Sequence, residues 1–270
     1  MKPLSGKVAI ITGGARGIGL TYALRLASLG ANVAVADLNL RSAEQYKREA
    51  ERLAGGSLEE TLRSQDVDVL LGEFNAADGE ANIAFARRVH ERWGHIDVLV
   101  ANAGGGSNTS GSYAAELSVA SVVATFERNF LSTVATCTAV APYMKAQRGG
   151  KIITVASMAG CAAFSGRSAD YAAAKAAVAH YTRMLAQDLA AHGVNVNAIA
   201  PGFIASGQWQ ARFAHDDPQE IEEWAAKVPM GRVGTPEDCA NVVQFLATSL
   251  SDYVTGEVIA VDGGMLRGAR

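Results

Sequence analysis

Seven short runs rich in valine and isoleucine recur along the chain, at residues 7–12 (KVAIIT), 32–36 (NVAVA), 67–74 (VDVLLGEF), 96–101 (IDVLVA), 151–156 (KIITVA), 194–200 (VNVNAIA) and 257–261 (EVIAV). They are apolar on both sides of a two-residue repeat, as strands covered on both faces must be, which predicts a parallel sheet. Helical patterns lie between them, beginning near Gly17, Arg41, Gly79, Ser118, Ala169 and Pro236, the last with Thr235 as N-cap and proline at the first helical position. Right-handed crossovers between such strands give a Rossmann-like, doubly wound α/β fold, a seven-stranded parallel sheet with helices on both faces. Ligands of such sheets bind outside the carboxyl ends of the strands, so the residues that follow each run carry the functional argument.

Composition limits the partner. The 270 residues, 49% hydrophobic, suffice for one large core, and no linker divides them, so a single domain is expected. A net charge of −3 with no basic block argues against a nucleic-acid surface and for a small-molecule substrate. Three cysteines, Cys137, Cys161 and Cys239, are odd in number and far apart, which suits a reducing compartment better than a disulfide framework. The N-terminal residues lack a signal-peptide apolar region, and the longest uncharged stretch, 129–144, is too short to cross a bilayer. A soluble, cytoplasmic protein with no membrane partner is expected. The five histidines are scattered with no HExxH spacing, so no metal is expected. Residues 42–66 form a long charged excursion around Gly55-Gly56 to which no chemistry attaches. Residues 203–230, with Trp209, Phe213 and Trp224, read as a helical lid at the mouth of the site.

The first strand runs into Thr12-Gly13-Gly14-Ala15-Arg16-Gly17-Ile18-Gly19 and then an apolar helix. Glycines there allow a tight turn and close approach of a diphosphate, whose charge is favoured at the helix N-terminus. Asp37 closes the second strand, followed by Leu38, at a place where a carboxylate accepts hydrogen bonds from adenosine ribose hydroxyls and repels a 2′-phosphate. NAD is therefore expected over NADP, against which stands Arg16, a guanidinium able to favour a phosphate.

Tyr171 and Lys175, four apart in DYAAAKAAVAHYTRMLAQDLA, fall one turn apart on one helix face. An ammonium beside a phenol favours phenolate and lowers its pKa from about 10. That spacing alone is common. Together, however, TGGARGIG, Asp37, Asn102-Ala103-Gly104, Ser157 fourteen residues before Tyr171, the Tyr171/Lys175 pair, Pro201-Gly202 and the terminal VTGEVIAVDGGM resemble the short-chain dehydrogenase/reductase family, from about residue 7 to 265.

The resemblance implies roles residue by residue. Tyr171 would exchange a proton with the substrate oxygen, Lys175 would lower its pKa and hold the nicotinamide ribose, Ser157 would hydrogen-bond the reacting carbonyl or alcohol, and Asn129 would hold a water in a proton relay. Asn75 with Ala76 would border the adenine, and Asn102, Ala103 and Gly104 the adenosine side. Pro201, Gly202, Ile204 and Ser206 would pass the nicotinamide. The chain departs from the family pattern at Asn75, often aspartate, at Ala101, usually asparagine, and at Ser206, usually threonine. The implied reaction is reversible NAD-dependent hydride transfer between a secondary alcohol and its ketone, in a homotetramer whose contacts include the helix bearing Ala172, Ala173, Ala176 and Ala179. Substrate-pocket candidates, residues 105–109, 158–164, Phe203 and 208–213, hold few fixed charges and suggest an uncharged, moderately hydrophobic, cyclic or aromatic substrate. A sugar or polyol dehydrogenase is the alternative, on account of Ser107, Asn108 and Gln208. A non-catalytic NAD-binding regulator is the alternative of another class.

Overall fold

Each valine- and isoleucine-rich run becomes a strand in the computed structural model, which describes residues 2–53, 56–106, 113–163, 168–207 and 218–268. The strands are β1 (Val8–Thr12), β2 (Asn32–Asp37), β3 (Val69–Glu73), β4 (Val98–Ala101), β5 (Gly150–Val155), β6 (Val194–Pro201) and β7 (Val258–Val261). All pair in parallel in the order β3-β2-β1-β4-β5-β6-β7. The chain winds one way from β1 to β3 and the other way from β4 to β7. The two directions part between β1 and β4, where Thr12 registers with Ala101, and the crevice there is the place for a ligand.

The alternation of side chains along each strand divides the core into two layers. Ala9 and Ile11 of β1 and Val33 and Val35 of β2 face α1 (Gly17–Ser28) and the later helix Pro236–Ala247. Val8, Ile10, Ala34 and Ala36 face the opposite layer. After α1 the helices in chain order are α2 (Lys47–Ala50), α3 (Leu58–Arg63), α4 (Gly79–Trp93), α5 (Val119–Phe126), α6 (Ser132–Gln147), α7 (Ala169–Ala190), α8 (Pro218–Ala225), α9 (Pro236–Ala247) and α10 (Met265–Gly268). Helices α4, α6 and α7 supply that opposite layer through Val89, Val140 and Leu185. The expected cap of α9 forms as a closed box, in which Thr235 Oγ1 accepts from the Asp238 N–H at 3.2 Å and the Thr235 N–H donates to Asp238 Oδ2 at 2.7 Å.

The structure corrects one expectation about helices and adds an irregularity to another. No long helix begins near Arg41. Residues Ser42–Gln45 make a single 3₁₀ turn, Tyr46 is extended at φ −127°, and only then does the four-residue α2 follow. Five residues, Glu127–Leu131, join α5 to α6 as a π turn, closed by the Ser132 N–H donating to the Glu127 carbonyl, so one helical rod carries one extra residue at this point. Of the expected lid, residues 208–217 lie outside the described residues.

Leu26 is fully buried in the layer between the sheet and α9, more than a turn from the Gly17 end of α1. Leu26→Ala is expected to lower unfolding stability by about 2–5 kcal/mol, read from urea denaturation, while affinity of the folded protein for NAD, the expected ligand, stays within about twofold of the parent, because the helix N-terminus where a diphosphate is expected is untouched.

Candidate active site

A cavity of about 790 Å³ opens at the crevice between β1 and β4. At its floor Asn102, which follows β4, donates from Nδ2 to the Thr12 carbonyl at 3.1 Å and to the Gly13 carbonyl at 2.8 Å, while Thr12 Oγ1 accepts from the Ala103 N–H at 3.3 Å. One amide thus fastens the end of β4 to the end of β1. Gly19 fits under it because it has no side chain: a Cβ there would fall on the Gly13 carbonyl oxygen and 2.5 Å from Asn102 Nδ2. Gly13 and Gly17 both turn at positive φ, +62° and +59°.

The N-terminus of α1 has neither a side-chain cap nor an acidic residue in its first turn. Its free N–H groups and dipole therefore face the cavity beside Gly17, Ile18 and Gly19, which suits a diphosphate. At the end of β2 the Asp37 carboxylate accepts from the Ala15 N–H (3.0 Å) and the Asn39 N–H (3.1 Å). Asp37, Leu38, Asn75 and Ala76 line this end of the cavity. Ala15, expected to touch the cofactor, is fully buried and off the wall; its contribution is the N–H that fixes Asp37.

At the other end α7 brings Tyr171 and Lys175 to the wall, with Ser157 from the turn after β5. Lys175 is 3% exposed, and its Nζ donates to the Val155 carbonyl at 2.7 Å. Burial lowers its pKa to about 8. The expectation that this ammonium holds the Tyr171 hydroxyl below the usual phenol range is not met: burial raises Tyr171, and the Ser157 hydroxyl beside it, through a hydrogen bond, pulls it down by less. The reason is geometric. The Lys175 Nζ lies 5.8 Å from the centre of the Tyr171 ring and is spent on a backbone carbonyl.

Asn129 occupies the middle of the π turn and is fully buried behind the wall rather than on it. Its Oδ1 accepts from the Gly105 N–H and its Nδ2 donates to the Gly105 and Thr125 carbonyls, each at 3.0 Å. Gly104 lies between it and the lysine: a Cβ there would come 2.7 Å from Asn129 Oδ1 and 3.4 Å from Lys175 Nζ. Along the remaining wall, Pro201, Gly202, Ile204 and Ser206 follow β6. Ile204 bridges Gly234 through the Phe203 carbonyl (2.9 Å) and the Ala205 N–H (2.8 Å), which turns its own N–H to the opposite side.

Of the substrate-pocket candidates, Gly105, Gly106 and Phe203 line the cavity; Ser107, Asn108, Phe164 and residues 208–213 lie outside the described residues. The wall also carries Glu127 and Arg128 from the π turn, so it is more charged than the sequence suggested. Three further residues went unnoticed in the sequence. Glu49, 5% exposed, accepts from the Gly207 N–H at 2.9 Å through Oε1, while its buried Oε2 has no hydrogen-bond partner among the described residues. Tyr46 receives the Arg16 guanidinium. Asp170, fully buried in the first turn of α7, accepts from the Ser121 and Thr125 hydroxyls at 3.1 and 2.9 Å and from the Tyr171 N–H at 2.9 Å. An acid immediately before Tyr171 was the one available signal for the last of these.

The cavity suits a dinucleotide at every point where this can be checked: a glycine-walled turn with no room for a Cβ, an uncapped helix N-terminus, a carboxylate at one end and a buried cation at the other. Among the described residues no cluster of three or more His, Cys, Asp or Glu is placed to hold a metal. Asp170→Ala leaves the buried Thr125 hydroxyl and the half-buried Ser121 hydroxyl without their acceptor and is expected to cost about 1–3 kcal/mol of stability, measured by chemical denaturation; a variant as stable as the parent would contradict this account of how α7 is docked on α5.

Known proteins share this arrangement. A family model described as Enoyl-(Acyl carrier protein) reductase matches residues 13–266. A cyclohexanol dehydrogenase of Rhodococcus sp. (strain TK6) is 45% identical over 269 residues, covering 97% of both chains. A 3-oxoacyl-(acyl-carrier-protein) reductase of Thermotoga maritima is 36% identical over 264 residues, 97% of this chain and 99% of its own. Among solved structures, a short-chain type dehydrogenase/reductase from Mycobacterium marinum superposes with a TM-score of 0.83 at 30% identity, over 97% of this chain and 96% of that one. Levodione reductase gives 0.85 at 26% identity, over 98% and 99%. The substrates in these names differ, so what they hold in common with this chain is the framework around the crevice, and by that framework and the extent of the match the chain belongs to the short-chain dehydrogenase/reductase family.

Proposed function

We propose that this chain is an NAD-dependent dehydrogenase of uncharged cyclic secondary alcohols, with Ser157, Tyr171 and Lys175 as its catalytic residues and Asn129 as their support. The broader class, oxidoreduction between secondary alcohol and ketone, comes with the family and with a 45% identical relative. The observation that carries the proposal is the convergence of Tyr171, Ser157 and Lys175 at one end of a cavity whose other end is closed by Asp37. The cyclic substrate class rests on that relative being a cyclohexanol dehydrogenase and on Gly105, Gly106 and Phe203 at the wall.

NAD would be held by the glycine turn and α1 N-terminus at its diphosphate, by Asp37 at the adenosine ribose, by Asn75 and Ala76 beside the adenine, and by Lys175 and the Ile204 N–H at the nicotinamide end. Bound there, it supplies the hydride acceptor for alcohol oxidation. Tyr171 Oη takes the hydroxyl proton of the alcohol, and returns it to the ketone oxygen in reduction. Ser157 Oγ hydrogen-bonds the same substrate oxygen and stabilises charge that gathers on it. The Lys175 ammonium, while protonated, adds positive charge near the tyrosinate, an effect smaller than that of burial. Asn129 keeps Gly104 and Gly105 in place beside the lysine.

Assembly as a homotetramer accompanies this reading. Ala179 is buried against the chain's own sheet, but Ala173 and Ala176 are exposed, and Val119 and Val123 of α5 are exposed as well. An apolar surface of this kind on α5 and α7 suits association, and a monomer by light scattering would end that part of the proposal. Free cysteines and the absence, among the described residues, of a helix long and apolar enough to cross a membrane agree with a cytoplasmic location.

Two measurements test the reaction. NADH formation from a panel of cyclic, aliphatic, aromatic and polyol secondary alcohols should favour the cyclic ones. Tyr171→Phe should lower kcat by at least about 10³-fold with NAD affinity nearly unchanged; full activity in that variant would sink the assignment. The second is a pH profile. The proton acceptor is tyrosinate, whose fraction grows with pH because burial holds the phenol high, so alcohol oxidation should rise up to about tenfold per pH unit through the neutral to alkaline range, and ketone reduction should fall at the alkaline end. Removing the ammonium in Lys175→Met should push the rise to higher pH. A flat oxidation profile would contradict this.

A further inference from the structure

Arg16 is the cation nearest to Asp37 along the glycine turn, since Ala15, its neighbour, donates its N–H to the Asp37 carboxylate at 3.0 Å. A guanidinium in that position can pair with a phosphate on the adenosine ribose and offset the repulsion from Asp37. In the structure it is paired with Tyr46. Arg16 Nη1 donates to Tyr46 Oη at 3.0 Å, and its Cζ lies 5.6 Å from the centre of the Tyr46 ring, within range of a cation–π contact.

Tyr46 cannot readily follow if the guanidinium moves. Its carbonyl accepts from the N–H groups of Glu49 (2.9 Å) and Ala50 (2.8 Å). Glu49, 5% exposed, is tied to the Gly207 N–H, and a Cβ on Gly207 would lie 3.0 Å from Tyr46 Cβ. The excursion after β2 is thus clamped against the chain that leaves β6, which fixes the backbone and Cβ of Tyr46 beside the glycine turn. The other cations on the wall are engaged too, Arg128 with the Gly106 carbonyl at 3.1 Å and Lys175 with the Val155 carbonyl.

We propose that Tyr46 is a cofactor-selecting residue: it holds the Arg16 guanidinium away from the adenosine ribose, so that a 2′-phosphate meets the Asp37 carboxylate without that cation to pair with. The inference deepens the NAD reading above and rests on it. It also assigns a purpose to the segment 42–50, which places Tyr46.

The test is equilibrium binding of NAD and NADP by calorimetry to the parent, Tyr46→Phe, Tyr46→Ala, Arg16→Ala and the Arg16→Ala/Tyr46→Ala double variant, with thermal melting to confirm folding. Tyr46→Ala is expected to tighten NADP binding about tenfold, the worth of one charge-assisted hydrogen bond to phosphate, while NAD affinity changes less than about threefold. Tyr46→Phe keeps the ring and loses the hydroxyl, so it should give a smaller tightening and decides the matter if the alanine variant does not fold. In the Arg16→Ala background the Tyr46 substitution should have no effect on NADP. Unchanged or weaker NADP binding in the Tyr46 variants, or a tightening that persists without Arg16, overturns the inference. A parent protein that binds NADP more tightly than NAD overturns the cofactor reading by itself, whereas the Tyr46 inference stands or falls on the Arg16-dependent change alone.

Discussion

The side chain of Asn102 is the tie on which the site depends. A parallel sheet whose winding reverses must leave two neighbouring strands whose following segments part in opposite directions, and backbone carbonyls at that point lose their natural partners. Asn102 supplies them, donating to the carbonyls of Thr12 and Gly13 from across the gap. Because its amide sits where a side chain on Gly19 would otherwise go, the same contact demands glycine at the start of α1 and so keeps the helix N-terminus close to the strand end. The shape of the glycine turn and the closure of the sheet therefore share one set of atoms. The Ala101 substitution for the usual asparagine leaves this tie intact, since the residue that makes it is the next one along.

At the catalytic end the electrostatics are set by burial more than by charge pairing. Tyr171 and Lys175 each carry a pKa moved in the direction that disfavours their charged form. A tyrosine and a lysine on one helix face look, from spacing alone, like a pair that stabilises tyrosinate; the structure shows the lysine committed to the Val155 carbonyl and the phenol steered by Ser157. This is also why Asp170 matters: by taking the hydroxyls of Ser121 and Thr125 and the Tyr171 N–H, it fixes the first turn of α7 so that residues four apart keep their places at the wall.

The fold was legible because its signal is redundant. Seven apolar runs each declare a buried strand, and glycine and aspartate appear at the ends where the crevice must be. What was not legible depends on contacts between segments remote in sequence. Nothing about Glu49 marks it as the partner of the Gly207 N–H, 158 residues away, and nothing about Tyr46 marks it as the partner of Arg16, because neither pairing has a periodic or local origin. The broken helix after β2 misled for a related reason: residues 42–50 have helical composition, but the extended Tyr46 interrupts them, and the clamp to the chain beyond β6 outweighs local propensity. Asn129 was named by resemblance alone, and its position behind the wall follows from the π turn, which has no sequence signature of its own.

That π turn sets a limit on how stable this protein can become. One residue more than a regular helix needs lies between α5 and α6, and the wider backbone is compensated by the three hydrogen bonds that Asn129 makes to Gly105 and Thr125. A sequence selected only for thermal resistance would shed the surplus residue and run α5 into α6 as one continuous helix. The side chains on one side of the deletion would then rotate by about 100° relative to the other, carrying Asn129 out of register with Gly105. Regularity of the helix and the ties from Asn129 to the cavity wall thus compete for the same five residues.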